Sequence, residues 1–467
     1  MPIFYNYPEK YNKISENLRI TCEGKELKSI TTPVSAYPIN QVWPGYQRPI
    51  EQTEPTSFVS LGSDGVVTLE ITPEKEFSKV IVRPLSKNIE AKVSGNTASI
   101  TFPGVGQYSV EFDDTHNVVT VIINPEKEFA FSPDDENVIY FGEGVHYLDK
   151  PLELADGQTV YIDKEAVVYG GICANGKKNV SVYGYGILDN SLLERGQGSL
   201  ISFSRCENIH VEGITCVDAC GWSMHYAGCT NVVVDNIKLC GMWRYNSDGV
   251  DFTNSTNCVL RNSYLRNYDD CIVIKGLGGN KDKIVQNIFA ENCVLWCDWG
   301  RAIELGAETS APSFSGIKFK NIDIIHGMSV MLDVQHGDKA EFSNIYFEDI
   351  RCEYTAKWYG SVMQQEVGQV YYNPDENWMP YLFVVATQRT MYSTDDCTGN
   401  IRDVFFKDIY VTDEAGRTPP SYIAANAPDT IIDGVHFDNI VINGKKAETL
   451  DDIQMKLSER VSNVTIK

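Results

Sequence analysis

"NVVVDNIKLCGMWRYNSDGVDFTNSTNCVLRNS" runs from Asn231 to Ser263, and its opening pattern returns before it ends, as "NVVVDNI" at Asn231 and "NCVLRNS" at Asn257. Each copy is a turn residue, an alternating apolar run and a second turn residue. The pattern also stands at Asn179, Asn208, Asn287, Gly316, Asn344, Asp403, Gly434 and Asn463. Successive starts lie 29, 23, 26, 30, 29, 28, 59, 31 and 29 residues apart. A period in the twenties, made of short strands with turns rather than helices between them, marks a β-solenoid. Leucine-rich repeats share the period but need an L-x-x-L-x-L frame that is missing, and a β-sandwich gives irregular spacing. The chain therefore reads as all-β, dominated by a parallel β-helix. The interval of 59 is two periods, or one period with a long insertion.

Strand-like runs separated by "GEG" and "ADG" turns place the start of the solenoid within Val138–Gly171. Earlier runs such as "SFVSLGSDGVVTLEITP" and "NVVTVIINP" are strands without the period. Residues 1–130 are expected to form an N-terminal antiparallel β-sandwich domain and residues 131–467 the parallel β-helix. The sandwich would cap or flank the open N-terminal end of the solenoid, an edge that otherwise invites aggregation. From Tyr354 to Asn400 the rhythm breaks into an aromatic-rich segment. Insertions of this kind gather on one face of a solenoid, often the binding face.

The chain has 467 residues, with 40 basic against 63 acidic side chains, a formal charge of −23. A surface so negative argues against nucleic acid and anionic membranes as partners. No apolar run reaches the roughly 20 residues that span a bilayer. The N-terminal stretch lacks a basic n-region and an apolar h-region, so a cytoplasmic location is the expectation, and a secreted one if a leader has been removed. Thirteen cysteines, nine of them between Cys206 and Cys297, show no CxxC pair of zinc type and read as buried, reduced thiols. No cofactor and no metal is expected. Oligomeric state is left open.

Two acidic islands follow the quoted repeat, "NSDGVD" and "YDDC". Residues one period apart in a solenoid stack at the strand spacing of about 4.8 Å. Asp248 precedes Asp269 by 21 residues and Asp270 by 22, one short coil, so the three carboxylates become neighbours. Their repulsion raises at least one pKa. Three readings compete: a calcium site, a set of turn formers, or a carboxylate pair that hydrolyses a glycosidic bond.

Gly221–Gly276 resembles the signature region of the polygalacturonase-type glycoside hydrolases of family 28. There W-x-x-H is followed by N-T-D-G-x-D and G-D-D-C-x-x-x-K; here Trp222–His225 precede "NSDGVD" and "YDDCIVIK". "YGYGILDNS" (Tyr183–Ser191) also resembles that family, and the likeness covers about residues 138–350. The resemblance implies a right-handed parallel β-helix and an inverting hydrolase. It implies Asp269 as general acid, with Asp248 and Asp270 holding and deprotonating the attacking water. There are two departures. "GRAIELG" (Gly300–Gly306) puts Arg301 where the family has a His. "SVMLDVQHG" (Ser329–Gly337) lacks the Arg and Lys that grip a galacturonate carboxylate. With a charge of −23, these losses favour a neutral or weakly charged poly- or oligosaccharide over a pectin-type uronate, which remains the alternative. The dextranase and isopullulanase group of family 49 is similar in plan, joining an N-terminal sandwich to such a helix. A non-catalytic glycan-binding β-helix and a calcium-dependent lyase are further alternatives.

The same resemblance, and position beside the islands, make Arg301, Lys275, His225, Trp299 and Glu304 candidate substrate-binding residues. Arg301 either pairs with Asp270 or clamps a sugar, and Glu304 is a fourth acid or the partner of Arg301. Asp333, His326 and His336 lie near the lost cation site. Trp243, Trp296, Trp358, Trp378 and Tyr381 are aromatics of the kind that stack on sugar faces.

Overall fold

The computed structural model describes residues 2–15, 18–36, 40–42, 50, 53–357, 362–364 and 378–467. Two sheets make the N-terminal unit. One orders Ile3–Phe4, Thr53–Gly62, Val118–Asn124, Gly106–Phe112 and Val80–Arg83, with Ile30–Ser35 also on Thr53–Gly62. The other orders Lys25–Leu27, Leu18–Cys22, Val67–Pro73, Thr97–Phe102 and Ala91–Ser94. Alternation buries Leu69, Ile71, Ile100, Val110, Val119 and Val121 in one shared core. The pairing is antiparallel except for Val118–Asn124 with Thr53–Gly62, which run parallel.

From Val138 onward the chain winds into a right-handed parallel β-helix. A sheet of 11 strands runs from Leu152–Glu153 to Met455–Leu457, one strand per coil, and faces a longer sheet across the core. Ile172, Ile201, Met224, Val250, Ile272, Ile303, Leu332 and Phe383 stack in register through its inner face. The repeat starts explain the winding. Asn179, Asn208, Asn231, Asn257 and Asn287 all have φ between 54° and 59°, the left-handed corner that Asn, Asp and Gly tolerate. From Asn208 on, each donates its amide to the Asn one coil earlier, Asn231 to Asn208 at 3.0 Å and Asn257 to Asn231 at 3.1 Å. The 59-residue interval is one coil with a long insertion, because Ile345 pairs directly with Val404.

The sandwich lies along the side of the helix instead of over its end. Tyr5, Tyr7, Tyr11, Ile30 and Phe58 pack on a stripe of coils from Val167 to Ile325. A Cβ on Gly241 would come within 2.4 Å of Thr32, so the two units approach backbone to side chain. All 13 cysteines are free; 11 are buried, Cys173 is half-buried and Cys397 is exposed.

Candidate active site

Three consecutive strands of the 11-strand sheet, Val250–Thr253, Ile272–Gly276 and Arg301–Thr309, carry the site at their N-terminal ends. The Gly249 N–H donates to the Asp270 carbonyl at 2.7 Å, and the Cys271 N–H to the Arg301 carbonyl at 2.9 Å. Asp248, Asp270 and Arg301 thereby occupy successive coils. Asp248, Asp269 and Asp270 line one cavity of about 210 Å³, with Lys275, Trp299, Arg301 and Glu304. Gly300 makes room for it: an added Cβ there would lie 2.5 Å from Asp270 Oδ1.

The three carboxyls differ in charge because their partners differ. Burial pushes Asp269 well above the usual carboxylate range, and the charges of Asp270 and Asp248 add to the shift. Asp270 is also buried, yet Arg301, a hydrogen bond with Glu304, and Lys275 hold it below its ordinary value. Its Oδ1 accepts from the Arg301 N–H at 2.7 Å and lies 3.6 Å from the guanidinium. Burial lifts Asp248 to about 7, against the pull of Lys275, whose Nζ donates to Asp248 Oδ2 at 3.0 Å. Neighbouring carboxyls of the cleft are thus pushed in opposite directions, Asp269 toward its protonated form and Asp270 toward its ionised one, a pattern suited to acid–base chemistry.

Both cations are engaged by the protein. Lys275 also lies 3.7 Å from Asp251 and sits 4.5 Å from the Trp222 ring centroid. Arg301 reaches Asp333 at 3.5 Å and Glu304 at 3.9 Å, its side chain 30% exposed. Glu304 and Asp333 pair across adjacent strands, and burial raises both, Asp333 to about 7. Trp299 stacks on the buried Tyr268 at 5.6 Å and leans on the buried Tyr245 at 5.7 Å, which leaves the indole as a half-buried shelf.

Other expected residues lie apart from the cavity wall. His225 is half-buried beside it, edge-on to the lining residue Trp222 and 3.1 Å from Thr253 Oγ1, its pKa lowered to about 4 by burial and by Lys275. Of the trio near the lost cation site only Asp333 touches a residue of the cleft, lying 3.5 Å from Arg301. His326 is buried against Trp296 and bonds Glu111 of the sandwich at 2.5 Å, while His336 is buried beside Thr309 Oγ1 at 2.8 Å. Trp296 fills the seam between the two units, and Trp243 is buried with its N–H donated to Asp218 at 2.7 Å. Trp378 donates to the Met328 carbonyl at 2.8 Å and Tyr381 packs edge-on to Tyr422. Trp358 lies outside the described residues. Asp251 and Tyr268 lie inside the quoted motifs and Tyr245 beside one, yet none was a candidate, nor were Glu308, Gln335, Thr390 and Tyr392 of the wall.

The sequence profile described as glycosyl hydrolases family 28 matches residues 157–377, the stretch that holds every catalytic candidate. Over that stretch, a little under half of its length, the chain is similar to the polygalacturonase-type enzymes. This polygalacturonase-like chain is 30% identical over 125 residues to the probable endopolygalacturonase D of Emericella nidulans, covering 26% of this chain and 22% of that protein. It is 27% identical to polygalacturonase-2 of Solanum lycopersicum, covering 40% of each. It spans less than half the length of either relative. Among solved structures, Dex49A from Penicillium minioluteum superposes with a TM-score of 0.72 at 14% identity, covering 99% of this chain and 96% of that one. The family 28 exopolygalacturonase of Yersinia enterocolitica gives 0.51 at 12% identity, covering 86% and 97%. At these identities the superpositions speak to fold alone. They extend the polygalacturonase-like plan over sandwich and helix together.

Proposed function

We propose that the protein is an inverting glycoside hydrolase that cleaves O-glycosidic bonds of a neutral or weakly charged poly- or oligosaccharide. Asp269 donates its proton to the glycosidic oxygen as the carbon–oxygen bond breaks. Water, held by Asp248 and Asp270, adds to the anomeric carbon from the opposite face and passes a proton to the Asp270 carboxylate. Inversion requires acid and base to stand roughly 6.5–9.5 Å apart with the water between base and sugar. Lys275 fixes Asp248, and Arg301 keeps Asp270 ionised. The family match and the placement of the three acids support the hydrolytic reading.

One observation carries the choice of substrate: Lys275 and Arg301 are each bonded to carboxylates of the protein itself. An incoming uronate would compete with those carboxylates and meet the charge of Asp270 and Glu308. The polygalacturonase relatives favour a second reading, a pectin-type exo-hydrolase in which the partly exposed Arg301 grips the uronate. The test is a panel of dextran, pullulan and polygalacturonate, with the released anomer followed by proton NMR. Turnover of a neutral glucan with inversion is expected. Turnover of polygalacturonate alone overturns the neutral-substrate reading, and retention of configuration overturns the mechanism.

A further inference from the structure

The return limb of the inserted segment, Thr387–Asn400, contributes Thr390 and Tyr392 to the cleft wall. Tyr392 is 45% exposed and its neighbour Met391 74%, so two large apolar side chains stand in water at the mouth of the site. The backbone beneath them is fixed by a buried charge. Asp338, 0% exposed, accepts from the Thr394 N–H at 2.6 Å and the Asp395 N–H at 2.8 Å through Oδ1, and from the Thr309 N–H at 3.0 Å through Oδ2. Thr309 ends the strand that carries Arg301 and Glu304. Thr309 Oγ1 in turn accepts from the N–H groups of Gly337 and Asp338, at 3.1 and 2.9 Å. One carboxylate therefore ties an exposed loop to the catalytic strand by three charge-assisted bonds.

Burial of a carboxylate carries a desolvation cost that an exposed loop does not repay by packing. A loop pinned in this way over a cleft is suited to present a side chain at a set position. That side chain is Tyr392, which shares the wall with Tyr245 and Trp299. Tyr392 and Asp269 line the same cavity, and burial raises the phenol above its ordinary range.

Resting on the hydrolase reading, we propose that Tyr392 is a specificity-determining residue that packs on the sugar bound beside Asp269, and that Asp338 is the positioning residue that holds it there. The ligand class is a pyranose ring whose C–H face meets the tyrosine and the Trp299 shelf.

The test combines kinetics with proteolysis on the full chain. On whichever of dextran, pullulan or polygalacturonate the wild type turns over, Tyr392→Ala is expected to raise KM about fivefold to tenfold with kcat nearly unchanged. Asp338→Ala is expected to raise KM to the same degree. It should also expose the bond after Arg389, an exposed residue at the start of the loop, to trypsin, giving at least tenfold faster cleavage by mass spectrometry. Asp338→Asn, whose amide oxygen still accepts from Thr394 and Asp395, should restore most of the protection. An unchanged KM in Tyr392→Ala overturns the sugar contact. Wild-type trypsin resistance at Arg389 in Asp338→Ala overturns the positioning role. If no glycan of the panel is hydrolysed, the hydrolase reading fails separately, and the cleavage rate still decides the role of Asp338.

Discussion

Asp269 and Asp270 are sequence neighbours to which the proposed mechanism gives opposite tasks, and the difference lies in what each one touches. Asp270 receives the Arg301 N–H and stands beside its guanidinium, while Asp269 has burial and two like charges for company. Replacing the acid, Asp269→Asn, removes the transferable proton at nearly constant shape. Turnover should fall by roughly 10²–10⁴-fold with an unchanged circular dichroism spectrum. Undiminished turnover would refute Asp269 as the acid. The pH profile tests its partner. A base must be ionised, so activity is present above the pKa of Asp270 and is lost as pH falls through it. Arg301 opposes the upward push of burial on that group. Arg301→Ala should therefore move the acidic limb of kcat/KM to higher pH, and a stationary limb would show that Arg301 does not tune the base.

At the level of strands and corners, the asparagine ladder and the acidic cleft sit at different places on the coil, and substitutions in each have different consequences. Asn257 is exposed at a φ of 56° and donates to Asn231 at 3.1 Å. Asn257→Ala should cost about 1–2 kcal/mol in unfolding free energy, from the left-handed corner, and leave kcat/KM unchanged. Gly300→Ala should lower both stability and rate. Its Cβ meets Asp270 Oδ1 at 2.5 Å and the Asp270 backbone nitrogen at 2.6 Å, so the carboxylate must shift, and a displacement near 1 Å costs on the order of 10²-fold in rate. Denaturant melts and initial rates on both variants check the pair. These two positions also show what was legible beforehand. Every repeat start from Asn179 to Asn463 sits at positive φ, a backbone demand that selects Asn, Asp or Gly and so writes the coil into the sequence. The islands were legible for the same reason: a 22-residue offset could only be one turn. Tyr392 and Asp338 were not, because the inserted loop has no period and its anchor is 56 residues from the Thr394 it holds. His326 and Trp296 misled for a related reason. The partner of His326, Glu111, lies 215 residues away in a unit whose docking face no local pattern announces, and Trp296 packs on that histidine at the same seam.

That docking face makes sandwich and helix one structure, and its centre is a buried cation. Arg83, 1% exposed, donates to Glu111 of its own sheet at 3.0 Å, and across the seam to Glu353 at 2.6 Å and Glu414 at 2.8 Å. Glu111 is buried, yet His326 and Arg83 hold it down to about 2. Glu353 is driven by burial the other way, to about 7, against the pull of Arg83. The signs differ accordingly. A depressed Glu111 stabilises the fold above the ordinary carboxylate range, and that stability is lost as pH falls toward 2. A raised Glu353 favours its protonated form, so it adds stability as pH falls from 7 to the ordinary range. The wild type should then hold or gain Tm between pH 7 and about 4.5, and lose it steeply below. Arg83→Met leaves buried carboxylates without their cation and should cost roughly 3–5 kcal/mol at pH 7. With the folded-state pKa of Glu111 no longer held as low, its loss of Tm below the ordinary carboxylate range should be shallower than in the wild type. Thermal melts of both proteins from pH 7 to pH 2 measure this. Parallel curves would mean that Arg83 does not govern the titration of the seam.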